Sequence, residues 1–152
     1  MKKYLQKKLN NEKGMTLIEL LAVIVIIAII AAIAIPAIGS IIENSRNGAV
    51  KSDYQNALSA ANIYFTENPS EDDVIVSVLA GVGTGVTTSY LDDQGALEDE
   101  VQITKAQTGN TIFGSAKAND KTYTLKVALT NAQLSSIKNA NFSGTEIVAP
   151  TE

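Results

Sequence analysis

From Leu20 to Ile42 no position carries a charged side chain, and most of the residues are Ile, Leu, Val or Ala. A run of this kind has no polar face, which predicts a helix surrounded by lipid or by other apolar helices. Counted from Leu17 to Ile38, the helix is about 33 Å long at 1.5 Å per residue. A bilayer hydrocarbon core is about 30 Å thick. Past Gly39 the pattern changes. Ile38, Ile42, Ala49, Tyr54, Leu58, Ala61 and Phe65 recur mostly at steps of three, four and seven, with Glu43, Arg46, Lys51, Asp53, Gln55 and Asn56 between them. That is a helix with a single apolar face. Asn68-Pro69 ends it, because a residue before proline avoids the helical region. One helix is therefore expected from about Thr16 to Glu67, with Tyr54, Leu58 and Phe65 in a core.

The remainder reads as an antiparallel sheet. Ser70-Glu71-Asp72-Asp73 before Val74–Leu79 carries a helix-start signature, although the β-branched content also permits a strand. Gly81, Gly83 and Gly85 mark a loop. They lack the following lysine and the strand-to-helix crossover of a phosphate cradle. Val101–Thr104, Thr111–Ala118 and Thr122–Leu129 read as strands, the last two joined by a turn at Asn119-Asp120-Lys121. Tyr123, Leu125 and Val127 share a face by the period of two. Asn131–Lys138 is expected as a short helix capped by Thr130, Phe142–Val148 as a last strand, and 149–152 as a tail. The expected class is α+β, a long N-terminal helix packed on a small antiparallel sheet of three or four strands.

Composition narrows the chemistry. The chain has neither histidine nor cysteine. Triads built on either residue are thereby excluded, as are disulfides and thiolate metal sites. The paired carboxylates that remain lie in a polar stretch rather than among apolar neighbours that would raise a pKa, so no enzyme activity and no cofactor are expected. The net charge of −4 is unevenly spread. The first fourteen residues hold Lys2, Lys3, Lys7, Lys8 and Lys13 against Glu12, and the rest carries 7 basic against 15 acidic residues, a net of −8. An acidic body argues against broad, phosphate-driven nucleic-acid binding. The basic leader places the amino end on the cytoplasmic side of a membrane. Asp92, Asp93, Glu98, Asp99 and Glu100 form an oxygen-rich stretch that could attract calcium, but their spacing does not fit a twelve-residue EF-hand loop.

Glu19 is the anomaly. A carboxylate within an apolar run costs about 2.5–3.5 kcal/mol on insertion scales, and a plain anchor has no use for one. Buried, it needs a cation or a proton. Gly14 stands at the junction between the basic leader and the run, ahead of the apolar stretch rather than behind it as in an ordinary secretory signal.

Lys13-Gly14-Met15-Thr16-Leu17-Ile18-Glu19-Leu20, then a long Ile/Ala/Val run and Pro36, resembles the class III signal of type IV pilins, of the pseudopilins of type II secretion and of the competence pilins of DNA uptake. The likeness covers roughly residues 7 to 40. Family members most often have phenylalanine where Met15 stands. The resemblance implies cleavage between Gly14 and Met15 by a prepilin peptidase and methylation of the Met15 amine. It also implies neutralisation of that amine by Glu19 of a neighbouring subunit. The apolar helices would leave the membrane to form a filament core, with Pro36 and Gly39 as a weak point in the helix. The fold implied is the pilin fold, though the disulfide that closes many pilin heads is absent here. Pseudopilin relatives with a calcium site lend the acidic stretch some support.

On this reading residues 1–14 are a cleaved leader and 15–38 a transmembrane and filament-core helix. Residues 39–68 continue the helix into a head formed by 69–152. The expected function is a main structural subunit of an extracellular type IV pilus, held in the membrane by a single pass before assembly. Its expected partners are further copies of itself, the prepilin peptidase and an inner-membrane assembly platform. A pseudopilin of secretion or DNA uptake is the nearest alternative, and a membrane-anchored binding module is the alternative of another class.

Overall fold

The computed structural model describes residues 16–82 and 88–149. Helix α1 spans Leu17–Glu67 without interruption. The chain divides into two compact units within this helix, residues 1–41 and 42–152.

In the first unit, α1 is exposed on every side, with Leu17 81%, Ile18 72% and Ile33 71% accessible. Pro36 lies inside the helix, and Gly39 is helical as well. By length and composition the helix is able to cross a membrane.

The second unit holds the core. Its stretch of α1 buries Asn47, Val50, Tyr54, Ala57, Leu58, Ala60, Ala61 and Phe65. The stripe thus begins at Asn47 and Val50, whereas Ala49 and Ile42, expected on the same face, are exposed. Among the described residues four strands follow, β1 (Asp73–Ile75), β2 (Gln102–Thr104), β3 (Thr111–Ala118) and β4 (Lys121–Thr130). They pair antiparallel in the order β1-β2-β3-β4. The ambiguous stretch 74–79 is divided between both readings. Val74 pairs with Ile103 in the sheet, and Val76–Leu79 then makes a single helical turn, α2. The β3–β4 hairpin closes through Asn119-Asp120, because Ala118 already pairs with Lys121. Asn119 takes the left-handed conformation, φ 55°, which asparagine tolerates better than most residues.

Three expectations need correction. Val127 does not join Tyr123 and Leu125 in the core but is 54% exposed. The ladder shifts between Ile112↔Leu129 and Gly114↔Leu125, so Lys126, Val127 and Ala128 stand opposite Phe113 alone. A bulge of this kind breaks the alternation of faces. The short helix α3 (Asn131–Ser136) ends before Lys138, because Ile137 turns extended and is buried. Its start matches expectation: Thr130 and Gln133 form a reciprocal capping box. Finally, Phe142–Val148 is not a strand. A 3₁₀ turn at Asn139–Asn141 precedes it, Gly144 takes φ +86°, and Ile147 makes one isolated parallel bridge to Leu125. Phe142 is fully buried. Its ring meets Tyr54 edge-on at 6.0 Å and stacks on Tyr123 at 6.3 Å. Two backbone hydrogen bonds, Thr124 N–H to Gly144 O at 3.1 Å and Ile147 N–H to Thr124 O at 3.0 Å, hold the segment on β4, and the Phe142 side chain joins it to α1.

Candidate functional site

The first turn of α1 is a closed hydrogen-bonded unit. Leu20 N–H donates to Thr16 O at 3.1 Å, the first bond of the helix. The Thr16 backbone N–H and hydroxyl both donate to Glu19 Oε2, at 2.7 and 2.9 Å. In return the Glu19 N–H donates to Thr16 Oγ1 at 3.3 Å. A threonine at the N-cap and a glutamate three residues on satisfy each other's backbone donors in this way, which is a capping box. The carboxylate also lies at the positive end of the helix, where negative charge is favoured.

The Glu19 carboxylate is not without partners until a cation arrives; within its own chain it already has two donors. Thr16, not among the site residues expected from the sequence, is the residue that holds this carboxylate. The signal was present as Thr16-x-x-Glu19 directly ahead of an apolar run, the pattern of a capped helix start. Gly14 and Met15 lie outside the described residues. Pro36 and Gly39 sit in continuous helix, and a Cβ added at Gly39 would meet nothing within 4 Å.

The structure does not bring the five acidic residues 92–100 together. Asp93 Oδ1 accepts from Gly95 N at 2.8 Å, and Asp99 Oδ1 accepts from Gln94 Nε2 at 2.9 Å. Glu98 pairs with Lys117 at 2.8 Å. Among the described residues no three or more acidic side chains converge as a metal site.

Glu43 pairs with Lys121, which holds the Glu43 carboxyl below its ordinary value and raises the Lys121 ammonium. Lys126 pairs with Glu146 and lowers its carboxyl likewise. Burial raises the Tyr54 hydroxyl, which donates to the carbonyls of Gly114 and Tyr123. Asp53 is shifted upward by burial and, to a smaller extent, by the charge of Asp93, while the Ala96 N–H opposes the shift.

Comparison with curated proteins and with solved structures gives no match. A family model does match: residues 9–35 fit the prokaryotic N-terminal methylation motif. The motif and the apolar helix fit a single-pass, membrane-anchored precursor, and in general terms the motif implies processing by prepilin peptidase and filament assembly. The long helix and antiparallel sheet form an α+β arrangement like that of type IV pilins, and residues 9–35 carry the class III signal of type IV pilins and pseudopilins, a motif that supports a pilin-like or pseudopilin-type subunit.

Proposed function

We propose that this chain is the main structural subunit of an extracellular type IV pilus and has no catalytic role. The observation that carries the reading is the pairing of a carboxylate held at the helix start with some twenty-five following residues whose apolar side chains are exposed on all sides. Such a surface is not stable in water. Lipid covers it before assembly, and copies of the same helix cover it afterwards. Cleavage after Gly14 creates a new amine at Met15, close in sequence to Glu19. In the filament Glu19 gives up part of its own cap to pair with the methylated Met15 amine of a neighbouring subunit. An acidic head then faces outward and keeps the fibre soluble.

Shearing of cells tests this directly. Abundant long fibres containing this chain are expected, and the mass of the chain recovered from them should lack residues 1–14 and carry one added methyl. Cells that process the chain but yield no long fibres would instead place it among the pseudopilins of secretion or DNA uptake. Gly14 changed to a bulky residue should leave the precursor uncut in the membrane.

A further inference from the structure

The head carries two exposed surfaces that complement each other and lie far apart on the same molecule. At one, Ile63 is 55% exposed in a shallow groove of about 410 Å³, whose lining also includes Ser59, Tyr90, Leu91, Asp92 and Asp93. Asp92 has no hydrogen-bond or salt-bridge partner among the described residues, and Asp93 spends one oxygen on Gly95 N–H.

At the other, Ile42 is 46% exposed, and Arg46 stands one turn further along the same face of α1. Segment 137–139, with Lys138, packs on a different side of α1: Lys51 Nζ donates to Ile137 O at 3.0 Å and Asn47 Nδ2 to Asn139 O at 2.9 Å.

The other head lysines are already engaged. Lys117, Lys121 and Lys126 pair with carboxylates, while Lys51 and Lys105 donate to backbone carbonyls. Arg46 and Lys138 therefore remain, among the described residues, without a carboxylate of their own in salt-bridge contact. Arg46 is near Glu43, but that carboxylate is held by Lys121.

We infer that the Ile63 groove with its Asp92–Asp93 rim receives the Ile42–Arg46 surface of a second copy of this chain. Each side offers an exposed isoleucine beside unspent charge, and the charges are opposite. Ile42 and Ile63 are 21 helical residues apart, about 32 Å, so one molecule cannot close the contact on itself. A contact between different patches of identical chains is heterologous, and where its rotation does not close a ring it extends as a filament. The inference rests on the filament reading and names one contact within it.

The chain has no cysteine, so the contact can be tested by cross-linking the full protein in fibres. The double variant Ile42→Cys, Ile63→Cys should give a ladder of covalent multimers on oxidation, because disulfide formation needs Cα atoms within about 7 Å. Either single variant should give no ladder. In parallel, Asp92→Lys should lower fibre yield about fivefold, as loss of about 1 kcal/mol of charge pairing implies. Adding Arg46→Glu to it should restore the yield. Wild-type fibres accompanied by an unladdered double variant would overturn the contact and leave the filament reading standing. An absence of wild-type fibres would overturn both.

Discussion

Thr16 and Glu19 hold each other: the threonine N–H and hydroxyl donate to one carboxylate oxygen, and the glutamate N–H donates back to the hydroxyl. The cap that Glu19 forms on its own helix can therefore be separated by substitution from the charge it carries. Glutamine at the third helical position can cap as glutamate does. Glu19→Gln should keep the helix start and membrane insertion but lose the charge, with fibre yield falling at least tenfold. Thr16→Val should do the opposite. It removes the hydroxyl at a cost of about 1 kcal/mol to the helix start, keeps the charge and lowers fibre yield only modestly, while Thr16→Ser restores it. Fibre yield and the mass of the processed chain read both effects. Wild-type fibres from Glu19→Gln would show that the charge is not what assembly needs.

Asn47 is the buried polar side chain of the described core, 1% exposed. It accepts from the Tyr123 hydroxyl at 3.0 Å and donates to Asn139 O at 2.9 Å. Removing a partner from a buried polar group costs about 1–3 kcal/mol. Asn47→Ala should destabilise the head by that amount in urea unfolding of the detergent-solubilised chain. Tyr123→Phe combined with it should cost less than the sum of the two single changes, since the pair shares one bond.

Much of this architecture was legible in the residues, for reasons that differ from place to place. The long helix was readable because the absence of charge from Leu20 to Ile42 and the stop at Asn68-Pro69 are both local. Thr130 was readable as a cap for the same reason. Val127 was not, because its exposure comes from a mismatch with β3 that no local alternation records. Phe142 looked like a strand residue, and its apolar character was indeed used, but by the rings of Tyr54 and Tyr123, residues 88 and 19 positions away in the sequence. The charge of Glu19 stood out against its apolar surroundings and drew attention from Thr16, although together the two spell a capping pattern.

Gly95 adopts φ +61°, and a Cβ placed there would come within 2.4 Å of the Asp53 carboxyl carbon. Asp53 Oδ2 accepts from the next backbone N–H, that of Ala96, at 3.0 Å. Gly95→Ala should therefore combine left-handed strain with loss of this bond, and destabilise the head by about 1–3 kcal/mol. The cost should shrink in an Asp53→Ala background, where the space is open and the bond is already gone. An equal cost in both backgrounds would assign the whole effect to backbone strain.

The same carboxylate should leave a trace in the pH dependence of stability. Burial raises the Asp53 carboxyl above its ordinary 3.8, and the charge of Asp93 pushes it the same way. A carboxyl whose value is higher folded than unfolded holds its proton more tightly in the native state. Its contribution is therefore most favourable at low pH and is lost as the pH rises from about 3.8 through the folded value. Replacing Asp53 with asparagine removes this titration, while its amide oxygen can still accept from Ala96. The stability of Asp53→Asn relative to wild type should thus increase as the pH rises from about 4 to 7, as measured by urea unfolding at a series of pH values. The ion pairs of Glu43 with Lys121 and Glu146 with Lys126 act in the opposite sense, because their carboxyls are lowered, but they are common to both proteins and cancel in the difference. A difference that is flat across the range would show that Asp53 titrates alike in the folded and unfolded chain.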